Sequence, residues 1–173
     1  MSKTAIDTIL NRHSCRDFNG KPLKKGDLET LTECARQAPS AGNMQPWHCY
    51  VVTDQAAKER LAAAAYGQSF VAAATVVFVV CGDPDKSAAR YAKRGSTLYY
   101  IQDTAAMVEN LLLAATALDY GSCWVGAFDE AMATNALSIP TNLRPLAIIP
   151  VGPGKIPTTG TQRKSKEEVF EAV

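Results

Sequence analysis

The run Val76-Val-Phe-Val-Val-Cys81 constrains this chain more than any other feature. Six consecutive apolar residues, four of them valine, leave no face to turn toward water, so the run reads as a strand buried on both sides. A sheet built around such a strand needs cover on both faces, and the rest of the chain is rich in helical patterns. The longest runs from about Ser96 to Asp119, with Ile101, Ala105, Val108, Leu112, Ala115 and Leu118 on or near one stripe. Its apolar residues extend well around the axis, which predicts packing against more than one layer. Gly121 stands where a glycine closes a helix.

The remaining elements follow from local signals. Thr4 and Asp7 have capping-box spacing, predicting a first helix that ends near Asn11 with Ile6, Ile9 and Leu10 facing inward. A second helix is expected from about Lys24 to Ala38, with Leu28, Leu31, Ala35 and Ala38 at helical spacing and Pro39 as its stop. His48 to Thr53 reads as a strand, and Asp54 caps an alanine-rich helix to about Ala65. Gly82-Asp83-Pro84 ends the buried strand. Ser122 to Val125 is a short strand, Gly126 a turn, Asp129 the cap of a helix to about Leu137, and Leu146 to Val151 a last strand. Beyond Gly152 the chain is rich in Pro, Gly, Thr and Lys, and a solvated tail is the default reading. No repeat, low-complexity tract or domain boundary interrupts residues 1–173, so one domain is expected.

Composition excludes several classes. With 47% of its 173 residues hydrophobic and 20% charged, the chain suits one globular domain with a sizeable core. A formal charge of +1 provides no bulk field to recruit nucleic acid or an anionic membrane. The run at Val76 is far shorter than the roughly 20 residues that span a bilayer, and the N-terminus has no apolar signal core. Five scattered cysteines without a C-x-x-C pair argue for reduced thiols in the cytoplasm. With only His13 and His48, a metal cluster is not expected. No G-x-G-x-x-G turn follows a strand, and no Ser-His-Asp set or phosphate-binding lysine loop is present.

Two stretches carry the candidate chemistry. The first, Arg12 to Phe18 (RHSCRDF), places two cations four residues apart where a helix is ending. Like charges at that spacing share a helix face and repel, so an anion between them is one reason for the pair; surface arginines flanking a helix end are the other reading. The second, Pro39 to His48 (PSAGNMQPWH), is a loop of small and amide side chains running into an aromatic strand. It offers close backbone approach and hydrogen-bonding amides to a flat polar heterocycle, and it equally resembles an ordinary helix-to-strand loop.

Together with Gln102 to Phe128, the stretch IIPVGPGKIP and the tail motif RKSKEEV, these motifs resemble the FMN-dependent nitroreductase family, small single-domain branch, in family order over nearly the whole chain. The resemblance implies an α+β, nitroreductase-like fold: a central mixed, mostly antiparallel sheet flanked by helices, in an intertwined homodimer. Residues 153–173 become an arm crossing to the second subunit, anchored through Val169 and Phe170. FMN is the implied cofactor. Arg12, His13 and Ser14 fall at positions that hold its phosphate and ribityl chain, and Arg16 at the pyrimidine edge, where a cation favours the reduced, anionic ring. Pro39, Ser40, Ala41 and Asn43 come from the opposite subunit to line the flavin, with Gln45 and Trp47 structural.

The backbone at Gly126 and Ala127 approaches N5 and O4 of the ring, and Arg163 clasps the phosphate. A second basic position is occupied here by Thr161, with Lys164 as a substitute. Gln68 is either a solvated amide or a ligand of flavin oxygens, and Trp124 reads as core. Residues 82–100 form a shortened excursion, leaving a channel that is open or shaped by Tyr91, Arg94 and Tyr99. The implied activity is ping-pong reduction of nitro compounds, quinones or similar electron-poor acceptors by NAD(P)H, with no catalytic side chain. Alternatives are a flavin reductase, an ene-reductase, a dehalogenase, a flavin-fragmenting enzyme, or a flavin-binding redox sensor.

Overall fold

The computed structural model describes residues 3–158 and 160–173. Its elements in chain order are α1 (Ala5–Asn11), α2 (Asp27–Arg36), β1 (Trp47–Val52), α3 (Gln55–Ala64), α4 (Phe70–Ala73), β2 (Val76–Gly82), α5 (Pro84–Arg94), α6 (Tyr100–Ala117), β3 (Gly121–Ser122), α7 (Glu130–Leu137) and β4 (Arg144–Gly152). The four strands lie in the order β1-β2-β4-β3, and each neighbouring pair is antiparallel. A parallel bridge, Ser14 to Ser122, brings the segment after α1 to the edge of the sheet.

β2 is central and buried along its whole length. Because successive side chains of a strand point to opposite faces, the strand serves two cores. Val77, Val79 and Cys81 pack with Leu61 of α3, Val71 of α4, Ala133 of α7 and Ile148. Val76, Phe78 and Val80 pack with Leu31 of α2 and Val108, Leu111 and Leu112 of α6. The continuous apolar run therefore fills two layers at once.

The caps act as their sequences require. Thr4 and Asp7 form the reciprocal capping box of α1, and Asp54 and Asp129 accept from Ala57 and Met132 at 2.8 Å each. Several expectations are corrected. Ile6, Ile9 and Leu10 are 69%, 57% and 72% exposed, and the residue that α1 buries is Thr8. Trp124 is 41% exposed rather than core. α2 begins at Asp27 behind Gly26, whose φ of 90° no continuing helix allows. Gly121 does not close α6: Asp119 takes the left-handed conformation (φ 64°), while Gly121 is in β3, where an added Cβ would meet Cys15 Sγ at 2.6 Å. The chain after β2 is also more than a stop. Asp83 caps α5, accepting from the Lys86 amide at 2.9 Å, and a π-helical turn (Gly95–Tyr99) links α5 to α6.

Candidate functional site

α1 ends at Asn11, and Arg12 already has extended geometry (φ −69°, ψ 119°). From there the chain is laced between two others: the Cys15 amide donates to Ser122 O (2.8 Å), the Asn19 amide to Pro153 O (3.0 Å) and the Lys155 amide to Asp17 O (2.8 Å). In an extended segment alternate residues share a side. Cys15 is fully buried, and Arg12, Ser14 and Arg16 line one cavity together. The two arginines thus line one cavity from an extended segment and not from the helix face their spacing suggested.

That cavity, about 230 Å³, is lined by Arg12, His13, Ser14 and Arg16 on one side and by Pro157, Gly160, Thr161 and Arg163 on the other. Three arginines are in its lining. The nearest carboxylate is Glu109, 3.8 Å from Arg12 Nε, and among the described residues neither Arg16 nor Arg163 has an ion-pair partner. Such a concentration of positive charge is relieved by an anion with several acceptor oxygens. Thr161 is in the lining, and Lys164 is not.

From this cavity a line of residues leads to Gly126 and Ala127. Arg16 stands 6.0 Å from the Phe70 ring, at the start of α4. Gln68, two residues earlier, donates to Ala65 O (2.9 Å) and Ala127 O (3.3 Å), so its amide nitrogen is engaged by the protein itself. Gly126 and Ala127 are exposed beside the Val125–Ile148 bridge, and a Cβ at Gly126 would touch nothing closer than Trp124 Nε1 at 3.9 Å. An open backbone edge therefore lies within reach of a planar ligand.

The Pro39–Asn43 loop lies apart, and none of its residues lines the guanidinium cavity. It contains a tight turn at Ala41–Asn43 with left-handed φ at Gly42 (56°), Asn43 (57°) and Gln45 (49°). Backbone this strained persists only where surrounding contacts hold it. Here Asp103 Oδ1 accepts from the Ala41 amide (3.0 Å), Arg90 Nη1 donates to Gly42 O (3.1 Å), and Ser40 Oγ accepts from the Gln45 amide (3.0 Å). Gln45 also bonds Asn43 O and Oδ1, and Trp47 packs partly buried beneath.

Asp103, which from its sequence alone reads as part of a polar helix start, is the buried carboxylate that holds this loop. It is 7% exposed, its Oδ2 has no partner, and burial pushes its carboxyl above the usual carboxylate range. The signal was a carboxylate between Tyr100 and Met107 on the inward stripe of α6. The cysteines are spectators by comparison: all five are free, and burial pushes Cys49 and Cys81 to about 12.

A sheet covered on both faces thus carries a cavity lined by three arginines and, beyond it, an exposed backbone edge at Gly126 and Ala127. Comparison with known proteins supplies the family. The model of the nitroreductase family matches residues 9–74 and 64–153, and the chain belongs to that family of oxidoreductases. A putative NADH dehydrogenase/NAD(P)H nitroreductase of Archaeoglobus fulgidus is 33% identical over 151 residues, 85% of this chain and 83% of that protein. The crystal structure of a putative NADH dehydrogenase/NAD(P)H nitroreductase from Parabacteroides distasonis superposes with a TM-score of 0.84 at 26% identity, covering 98% of each chain. The NADPH:FMN oxidoreductase of Vibrio harveyi, solved in complex with NAD+, superposes with a TM-score of 0.85 at 26% identity, covering 96% of this chain and 76% of that one. Among the described residues no helix is long and apolar enough to cross a membrane.

Proposed function

We propose that this chain is an FMN-dependent oxidoreductase that uses NAD(P)H by a ping-pong mechanism to reduce nitro compounds, quinones or similar electron-poor acceptors. The cavity of about 230 Å³ between Arg12, Arg16 and Arg163 carries the reading, because its three cations suit the charge and the several acceptor oxygens of a phosphate monoester. Arg12, His13, Ser14 and Arg163 would hold the phosphate and ribityl chain. Arg16 would stand at the polar edge of the ring and favour negative charge there. Gln68 would position the Ala127 carbonyl, and the bare backbone at Gly126 and Ala127 would lie against the ring. FMN, when bound, would supply the two-electron chemistry.

The loop of Pro39, Ser40, Ala41 and Asn43 would serve the flavin across an intertwined homodimer, which accounts for its separation from the cavity within one subunit. In this reading residues 1–173 are one domain and residues 153–173 an arm lying on the second subunit; Thr159, within that arm, lies outside the described residues. Phe170, 75% exposed, and the bare apolar face of α1 support such a contact. Five unpaired thiols favour a cytoplasmic location.

Purified protein should be yellow, and anaerobic addition of NADH or NADPH should bleach it within the turnover time. Colourless protein that takes up no FMN would overturn the reading, and bound flavin that neither nucleotide reduces would reduce it to a sensor.

A further inference from the structure

Four successive carbonyls of the Pro39–Asn43 loop are occupied within the subunit. Those of Ser40 and Ala41 accept from the amides of Asn43 (2.9 Å) and Met44 (3.1 Å), that of Gly42 from Arg90 Nη1 (3.1 Å) and that of Asn43 from Gln45 Nε2 (3.3 Å). The side-chain oxygens are occupied as well: Ser40 Oγ accepts from the Gln45 amide (3.0 Å), and Asn43 Oδ1 from Gln45 Nε2 (3.2 Å). Among the described residues, the Ser40 hydroxyl proton and the Asn43 Nδ2 group have no acceptor. What these two side chains still offer a ligand is hydrogen, and a hydrogen-bond donor suits an edge of carbonyl oxygens.

That pattern depends on a backbone the loop does not hold alone. Gly42, Asn43 and Gln45 all have positive φ, a conformation unfavourable for the two that carry a Cβ. Two charged side chains from other elements grip adjacent residues: Asp103 Oδ1 takes the Ala41 amide at 3.0 Å, and Arg90 takes the Gly42 carbonyl. Arg90 is exposed, whereas Asp103 is 7% exposed and reaches the loop from α6, an 18-residue helix packed on the sheet. Because the peptide unit is planar, fixing the Ala41 N–H also fixes the Ser40 carbonyl and Cα. Asp103 Oδ2 has no partner, so the Ala41 bond is the polar contact of this buried carboxylate among the described residues. We propose that Asp103 is a positioning residue for the cofactor: through the Ala41 amide it aims the Ser40 hydroxyl and the Asn43 amide at the carbonyl edge of the flavin in the second subunit's site. Donors at that edge favour the reduced ring, which carries more negative charge there. The inference rests on the flavin reading above and adds a residue that touches neither cofactor nor acceptor.

The test compares Asp103→Asn with Asp103→Ala as FMN-loaded proteins. Both are neutral at this position, so the difference between them isolates the acceptor for Ala41 from the charge. Asp103→Asn should bind FMN as wild type does in equilibrium dialysis. Asp103→Ala should bind it about tenfold more weakly, and its bound flavin should have a lower midpoint potential than that of the Asn variant. Leu111→Ala, a change in the core between α6 and β2, serves as the control for lost stability and should match wild type in affinity and potential. Equal affinity and potential in the Asn and Ala variants would overturn the proposal. So would a Leu111→Ala protein altered as much as Asp103→Ala, since destabilisation alone would then account for the effect. Wild-type protein that takes up no FMN would instead remove the underlying reading; a flavoprotein indifferent to the Ala41 bond would remove this one alone.

Discussion

Asp103 sits in α6 with one oxygen on the Ala41 amide and the other unsatisfied, in surroundings that disfavour its charge. With the folded-state pKa above the unfolded one, the native state binds more protons between the two values, so stability falls as pH rises from about 3.8 through the folded pKa. Asp103→Asn keeps an acceptor for Ala41 and removes the buried charge. Its Tm should exceed that of wild type at neutral pH, and the difference should vanish in acid; a pH series of thermal melts checks both. Asp103→Ala, which leaves the Ala41 amide without its acceptor, should cost about 1 kcal/mol in denaturant titrations.

At the cation cavity, Arg12→Ala or Arg163→Ala should each weaken FMN binding about tenfold or more, measured by fluorescence titration of the apoprotein. Arg12 and Arg16 were visible from local sequence as an unusual pair of cations. Asp103 was not, because a polar residue near a helix start looks the same whether it faces water or a loop from elsewhere in the chain.

Among the elements, β2 and the capped helices α3 and α7 were the most legible. A six-residue apolar run and a side-chain oxygen three residues before its amide partner are complete signals within their own segments. α1 and α5 were not. The stripe of Ile6, Ile9 and Leu10 marks an apolar face without saying what covers it, and in the subunit it faces outward. The course of α5 depends on a positive φ at Ala92 (46°) that no propensity predicts, with Gly95 beyond it packed on the Ser87 carbonyl. α7 is tied to the sheet through Arg144 on β4, which grips Glu130 with two bonds (2.9 and 2.7 Å) and donates a third to Tyr100 Oη (3.1 Å). Both partners are about half exposed, so solvent screens the pair and Arg144→Gln should cost only about 1 kcal/mol, with chemical denaturation as the readout. Leu111→Ala, in the layer between α6 and β2, should cost about 2–5 kcal/mol by the same measurement.

For the whole molecule, the decisive contacts join the ends of the chain. Phe18 bridges Gly154, and Arg163 comes to the cavity that Arg12 begins. Truncation before Gly154 should therefore abolish FMN retention and shift the sedimentation coefficient toward a single subunit; a truncated protein that stays dimeric and yellow would show the tail to be dispensable. The amino-acid order alone determined the buried strand, the capped starts of α1, α3 and α7 and the presence of a paired cation motif. Each of these is a repeat or spacing of a few residues, and backbone geometry converts such spacing directly into shared faces and hydrogen bonds. Tertiary structure alone decided that Arg12, Arg16 and Arg163 share one cavity and that Asp103 and Arg90 hold the backbone of the Ala41–Gly42 loop. Those meetings depend on how distant segments cross, which is settled by the packing of two cores against one sheet and leaves no periodic trace along the chain.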